Sequence, residues 1–316
     1  MNEEKSAPRA PIYEKYALGL AAGKALPGSG GGPSERLSLL RKLASRYLKG
    51  WPERMTLYTK SLPPGCGPCL DGKGSNLVVT GQCNRSCFFC FNPRPREDGM
   101  AVHGRAIHDP EEAPTIIEKL GIKSVGLSGG EPLLFPGRTV AILRALRRRF
   151  GRNLRVDLYT NGDFLTEPLL AVLREEGLDG LRVDLAANGF SVAPVRAALK
   201  FFRDVTVEMP VPPIPAKEER MRSLILELDA AGAPHLILHE LFFCAQNQEE
   251  LAKYKFQAKT GQDGSKLMWG PVEGSEEMIL GLLMFAHEKA RNLSAYYCSC
   301  ETQDWIAEKA LARRST

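Results

Sequence analysis

The 316-residue chain lacks any apolar run long enough to cross a bilayer, which takes roughly 18 residues; its longest apolar stretches, such as MILGLLMFA at 278–286, fall well short. Its first residues, MNEEKSAPRA, hold no apolar signal core, so we read a cytoplasmic chain with no membrane partner. No internal repeat of fixed length is evident. Histidine is scarce at five residues. His103, His108 and His287 carry no usable spacing, and His239–Glu240 lacks the second histidine of a zinc-protease helix. Charge of one sign is also limited. The net charge is +5, and the only tight basic run is Arg147–Arg149 near a predicted helix end, where the helix dipole favours it as a solvated face. Nucleic-acid binding is therefore unsupported.

Against these absences stand eight cysteines. In a reducing compartment clustered cysteines point to metal or redox chemistry rather than disulfides. They fall into the triplet Cys83, Cys87 and Cys90, the pairs Cys66/Cys69 and Cys298/Cys300, and Cys244 alone, read as a small buried hydrophobe.

With 43% hydrophobic and 25% charged residues the chain can bury a full core. Residues 1–34, rich in Gly, Pro and Ala, read as a flexible segment, and 35–49 have helical apolar spacing. Six short apolar runs then follow as strands: NLVVT (76–80), KSVGLS (123–128), LRVDLYT (154–160), LRVDLAA (181–187), DVTVEMP (204–210) and HLILHELFF (235–243). Helical patterns near 111–120, 138–150, 166–176, 191–200 and 217–231 lie between them, and two more lie near 275–291 and 303–313. Alternating strands and helices imply right-handed βαβ units and a parallel sheet, here a partial (β/α)6 TIM-like barrel with N-terminal and C-terminal extensions. The boundaries read are a flexible 1–34, a helix and Cys-x2-Cys knuckle over 35–74, the barrel over 75–244, and a C-terminal extension with Cys-x-Cys over 245–316.

In such barrels the active groups sit at the C-terminal ends of the strands. GQCNRSCFFCFNP (81–93) follows the first strand, and its C-x3-C-x2-C spacing suits three irons of a [4Fe–4S] cluster, with the fourth iron left open for chemistry. A structural zinc or a simple electron carrier would instead want a closed set of four ligands.

CNRSCFFC resembles the CxxxCxxC motif of the radical S-adenosylmethionine (SAM) superfamily, SGGEP (128–132) its GGEP motif, and YTNG (159–162) the TNG of pyruvate formate-lyase activating enzymes. The resemblance covers roughly residues 75–240. It implies a partial (β/α)6 barrel in which Cys83, Cys87 and Cys90 ligate the cluster, SAM binds the open iron, and reductive cleavage yields a 5′-deoxyadenosyl radical for hydrogen abstraction. By the same resemblance Gly129, Gly130 and Glu131 would meet the methionine moiety, Phe89 and Phe91 the adenine, and Thr160 and Asn161 the ribose or carboxylate edge. Asp184, with Asn188 and Glu208, is a candidate for ribose or substrate contact. MPVPP at 209–213 resembles the adenine-contacting segment of activating enzymes. One departure is Tyr159, where those enzymes commonly have Asp, so an ion-binding role there is not carried over. The flanks, including GCGPCLDGKG, HELFFCAQNQEEL and YYCSC, look like a poorly characterised subgroup related to pyruvate formate-lyase activating enzyme.

Cys66, Cys69, Cys298 and Cys300 provide four further thiols, enough for zinc or for an auxiliary iron–sulfur cluster. No GxGxxG fingerprint follows a strand, so reduction would need an external one-electron donor such as a flavodoxin or ferredoxin. The competing class is a noncatalytic iron–sulfur or zinc scaffold or electron carrier. GGEP with TNG discriminates, because a carrier has no need of a SAM pocket. The substrate, whether peptide or protein, nucleotide or small metabolite, is not legible.

Overall fold

The computed structural model describes residues 35–259 and 270–312; the segment expected to be flexible, 1–34, lies outside the described residues. Seven strands run parallel: β3 (Gly74–Thr80), β6 (Ser124–Gly129), β7 (Arg155–Thr160), β8 (Gly180–Asp184), β9 (Val205–Val211), β10 (His235–Glu240) and β13 (Ser294–Cys298). The first six match the six apolar runs of the sequence. The seventh comes from residues read as C-terminal extension, and it aligns His239 of β10 with Cys298.

Two hairpins flank these strands. β1 (Lys49–Trp51) and β2 (Thr56–Tyr58) add antiparallel strands beside β13, and β4 (Met100–Val102) and β5 (Arg105–Ile107) do so beside β3. The result is one 11-stranded sheet ordered β1-β2-β13-β10-β9-β8-β7-β6-β3-β4-β5, open at both edges among the described residues. A separate pair joins β11 (Phe242–Phe243) to β12 (Gly270–Pro271).

Helices follow the strands where helical spacing predicts them: α3 (Glu112–Lys119), α4 (Pro136–Phe150), α5 (Glu167–Glu175), α6 (Ala193–Leu199) and α7 (Glu218–Ala231). Local signals explain their ends. Pro136 opens α4, Thr166 Oγ1 accepts from Leu169 N at 3.4 Å to cap α5, and Gly232 closes α7 in the left-handed region at φ +80°. The N-terminal helix α1 (Glu35–Tyr47) and α9 (Ser275–Lys289) complete this layer, with α8 (Gln248–Ala252) between β11 and β12. No helix among the described residues is long and apolar enough to cross a membrane.

The sheet has two unlike faces because side chains alternate along a strand. Val156, Leu158, Leu181, Val183, Val205, Val207, Leu236 and Leu238 pack with Ile142, Leu146, Leu170, Leu224 and Leu283 of the helices in the main core. The intervening residues Asp157, Tyr159, Arg182, Glu208 and His239 project to the opposite face. There Arg182 bonds Asp157 at 3.2 Å and Glu208 at 2.7 Å.

That polar face is covered by α2 (Cys66–Leu70) and the residues leading into it. Gly65 lies so close that an added Cβ would fall 2.5 Å from Asp157 Oδ2 and 2.6 Å from Arg182. The last helix, α10 (Cys300–Ala312), packs back on α2, where Lys309 Nζ donates to the Leu70 carbonyl at 3.2 Å. The basic run on α4 is neutralised: Arg147 pairs with Asp179 at 2.5 Å, Arg149 with Glu118 at 2.5 Å, and Arg148 with Glu111.

Candidate active site

Three turns meet at the C-terminal ends of β3, β6 and β7. Gly130 N donates to the Thr80 carbonyl at 2.7 Å, and Glu131 N to the Gln82 carbonyl at 2.8 Å. This close approach requires glycine. A Cβ on Gly130 would lie 1.8 Å from the Gln82 oxygen, and Gly129 adopts φ +123° with the Thr80 oxygen 2.2 Å from where its Cβ would stand. The SGGEP turn is thereby laid against the residues that lead into the cysteine loop.

Glu131 joins this turn to the next. It is 1% exposed, and its carboxylate accepts from Leu133 N at 3.0 Å, Thr160 Oγ1 at 2.9 Å and Asn161 N at 2.8 Å. Burial raises its pKa to about 7, and the three donors hold it lower than burial alone would. Its oxygens are thus engaged by the protein, and its work is to pin the TNG turn.

The TNG turn in turn grips the cysteine loop. Asn161 Nδ2 donates to Asn84 Oδ1 at 2.8 Å, Asn84 Nδ2 donates to Asp163 at 2.7 Å, and Arg85 forms a two-pronged pair with Asp163 at 2.6 and 2.7 Å. Asn92 Nδ2 reaches back to the Gly129 carbonyl at 2.5 Å. Below, Asp98 accepts from Thr80 at 2.7 Å and from Arg138 at 2.6 and 2.9 Å, bracing the same loop.

Held this way, Cys83, Cys87 and Cys90 are free thiols of intermediate burial. Arg85 N donates to Cys83 Sγ at 3.4 Å and Arg96 to Cys90 Sγ at 3.6 Å. Burial pushes the Cys87 thiol up to about 12, with the nearby Asp184 carboxylate adding to it. Three half-exposed thiols on one loop, two of them receiving N–H donors that favour thiolate, fit a cluster that leaves one iron open.

The remaining candidates are spread around this junction. Phe89 packs against the small buried cluster that includes Leu241 and Phe243, and its carbonyl accepts from Asn247 at 3.2 Å, while Phe91 is 43% exposed with its ring 6.1 Å from Phe242. Asp184 caps its own turn, accepting from Ala186 N at 2.9 Å and Ala187 N at 3.2 Å, and burial raises it to about 7. Asn188 Oδ1 accepts from Ser191 N at 3.0 Å, and its Nδ2 is buried without a partner. Glu208 faces Arg182 and His239 instead of open space; burial opposes its charge, yet those two partners lower it to about 2.

The outer cysteines divide. Cys66, Cys69 and Cys298 lie within electrostatic reach of one another on the polar face of the sheet. Cys300 turns to the far side, where its amide donates to Glu240 at 3.0 Å in a cluster with Lys259 and Glu276. Cys244 is buried, as a small hydrophobe should be. Among the described residues no three His, Cys, Asp or Glu side chains already stand around a point where a single ion would bind.

Several residues escaped the sequence reading. Asn84 and Arg85 sit inside the cysteine loop and Asp163 directly follows TNG, so contiguity with motifs was the only signal they offered.

The sequence is also similar to known proteins. The Radical SAM superfamily model matches residues 77–208. A putative glycyl-radical enzyme activating enzyme of Methanocaldococcus jannaschii is 31% identical over 257 residues, covering 78% of this chain and 65% of that protein. A probable GTP 3′,8-cyclase of Pyrococcus horikoshii is 31% identical over 152 residues, 43% of this chain and 46% of its own. Among solved structures, Streptococcus suis SuiB bound to S-adenosylmethionine aligns with a TM-score of 0.47 at 13% identity, over 71% of this chain and 50% of that one. The chain therefore spans just under two thirds of the first relative and less than half of the second.

Proposed function

We propose that the chain is a member of the Radical SAM superfamily, whose model matches residues 77–208, and that it binds a [4Fe–4S] cluster through Cys83, Cys87 and Cys90 and cleaves SAM there. The observation that carries this reading is the clamp between the cysteine loop and the SGGEP and TNG turns, since an electron carrier has no need to lock its cluster loop to two further strand ends. When bound, the cluster and SAM supply a 5′-deoxyadenosyl radical that abstracts hydrogen from an organic substrate.

The chain's own residues bind and orient. Gly129 and Gly130 let backbone approach the methionine moiety, Glu131 fixes Thr160 and Asn161 at its edge, and Asn84, Arg85 and Asp163 hold the cysteine loop in register with them. Phe89 and Phe91 offer aromatic faces for the adenine, and Asp184, at the end of β8, lies within electrostatic reach of Cys87. Reduction comes from an external one-electron donor of the flavodoxin or ferredoxin kind.

The similarity to a putative glycyl-radical enzyme activating enzyme supports a protein as one class of substrate. Tyr159 marks the difference from those enzymes. Its ring packs beside Gly126 and under Arg182, whose guanidinium lies 5.2 Å from the ring centroid, so the side chain is committed to the interior face.

The test is anaerobic reconstitution with iron and sulfide, followed by SAM and dithionite, with 5′-deoxyadenosine read by mass spectrometry. Deoxyadenosine from the parent chain and none from Cys87→Ala is expected. A loaded cluster with no SAM cleavage would move the protein to the carrier class.

A further inference from the structure

One aromatic side chain stands out in solvent beside the cysteine loop and has no part in binding SAM. Tyr254 lies just after α8 and is 47% exposed. It is held in that position. Its amide donates to the Leu251 carbonyl at 3.0 Å, and its ring stacks on the buried Phe256 with centroids 5.6 Å apart and planes 10° apart. On its other side the Phe88 ring lies 4.7 Å away, and Phe88 directly follows Cys87 in the chain. Rings in contact thus run from solvent to a thiol of the cysteine loop. Asn247 ties the two segments together, donating from Nδ2 to the Phe89 carbonyl at 3.2 Å and to the Phe242 carbonyl at 3.0 Å.

Cations surround the ring. Lys253 and Lys255 flank Tyr254 in sequence and both are exposed, as is Arg94 of the cysteine loop. The acids of this turn are Glu249 and Glu250 on α8. Glu250 is taken up by Lys253 at 2.7 Å and lies in the field of Arg94. The balance is positive.

From this arrangement we propose that the surface around Tyr254 docks an acidic one-electron carrier protein, whose electron passes by way of Tyr254 and Phe88 to the cluster held at Cys87. The inference rests on the cluster reading above for the electron's destination. The carrier gives up one electron and is oxidised, the cluster gains it, and no bond forms or breaks.

Three features favour this role. First, packing does not account for Tyr254. Phe256, Phe88, Leu241, Phe243 and Leu251 already make up the small cluster beneath it, and nearly half of the tyrosine stays outside. An exposed, immobilised aromatic is the kind of residue that anchors an interface. Second, a basic rim steers an acidic partner to the anchor, and electron-transfer encounters are small, so one turn and the adjoining loop provide area enough. Third, the anchor touches the residue next to Cys87, so the docked carrier stands at the end of a packed route to that thiol.

The experiment uses the full chain. An oxidised flavodoxin and an oxidised ferredoxin, both acidic, are titrated separately into the cluster-free chain by isothermal titration calorimetry at low and high salt. At least one should bind, and salt should weaken it severalfold by screening. Tyr254→Ala and the Lys253→Glu/Lys255→Glu double variant should each weaken that binding about tenfold, as loss of an anchor and reversal of rim charge do. Arg148→Glu on α4 should leave it unchanged. After anaerobic reconstitution, deoxyadenosine formation driven by the reduced carrier should fall about as far in both surface variants, while formation driven by dithionite stays at the parent level. If Tyr254→Ala fails to fold, the lysine variant decides, because its side chains are exposed. Binding by neither carrier, or binding indifferent to these substitutions, would overturn the inference. So would carrier-driven and dithionite-driven rates that fall together, since a distorted cysteine loop gives that result. The binding arm needs no cluster, so failure of the SAM reading and failure of this one are read separately.

Discussion

Two sets of three thiols sit in this molecule under opposite conditions. Cys83, Cys87 and Cys90 lie within eight positions of each other on a half-exposed loop, which its own Asn84 and Arg85 tie to Asn161 and Asp163. Cys66, Cys69 and Cys298 come from opposite ends of the chain and meet against a buried network of Arg182, Asp157, Glu208 and His239. The first is local and half-exposed, as the proposed SAM site requires. The second is assembled by strand pairing and covered by α2, which shields its thiols from solvent.

The sharpest break in this comparison is Cys87→Ala, which should abolish deoxyadenosine formation altogether while leaving the far-ultraviolet circular dichroism unchanged, since the loop carries little of the core. Next comes the interior. Arg182→Ala removes a buried cation and leaves Asp157 to Arg155 and Glu208 to His239 alone, at a cost of about 3–5 kcal/mol, read as a lower urea midpoint; a shift under about 1 kcal/mol would mean the network is solvated.

Glu131 gives a pH signature at the junction of the turns. Its folded pKa, raised to about 7, lies above the carboxylate's ordinary 4.5, so it adds stability that is complete below the ordinary value. That stability is lost as pH rises through about 7. The melting temperature of the cluster-free chain should carry this decline between about pH 5 and pH 8, and Glu131→Gln should flatten it.

Asp163→Ala should matter less to stability than to chemistry. Its pair with Arg85 is largely exposed and screened by solvent, yet loss of the clamp should slow SAM cleavage several-fold at unchanged iron content. Smallest of all, Arg148→Ala on α4 removes an exposed pair and should stay within about 0.5 kcal/mol of the parent in urea unfolding.

The parallel strands were legible because each reads as a short apolar run bounded by a helical pattern, and the Cys loop because its ligands are contiguous. β13 was hidden for a physical reason. Its residues, SAYYC, are all buried, yet they stand outside the alternating strand–helix series and pair with β10 only after the chain has passed through β11, α8, β12 and α9. Cys300 was grouped with Cys298 by spacing alone. The two lie on either side of the boundary between β13 and α10, where the change of backbone direction sends their side chains apart.

Composition, alternation and motif spacing determined the βα order, the three turns at the strand ends and the thiols of the first site, since each depends on neighbours in the chain. Only the tertiary structure decided that Glu131 faces inward to pin TNG, that Asp163 clamps the cysteine loop, and that His239 rather than Cys300 stands beside Cys298. Those choices follow from strand register and from which face of the sheet each residue takes, and both are fixed by pairing between segments far apart in sequence.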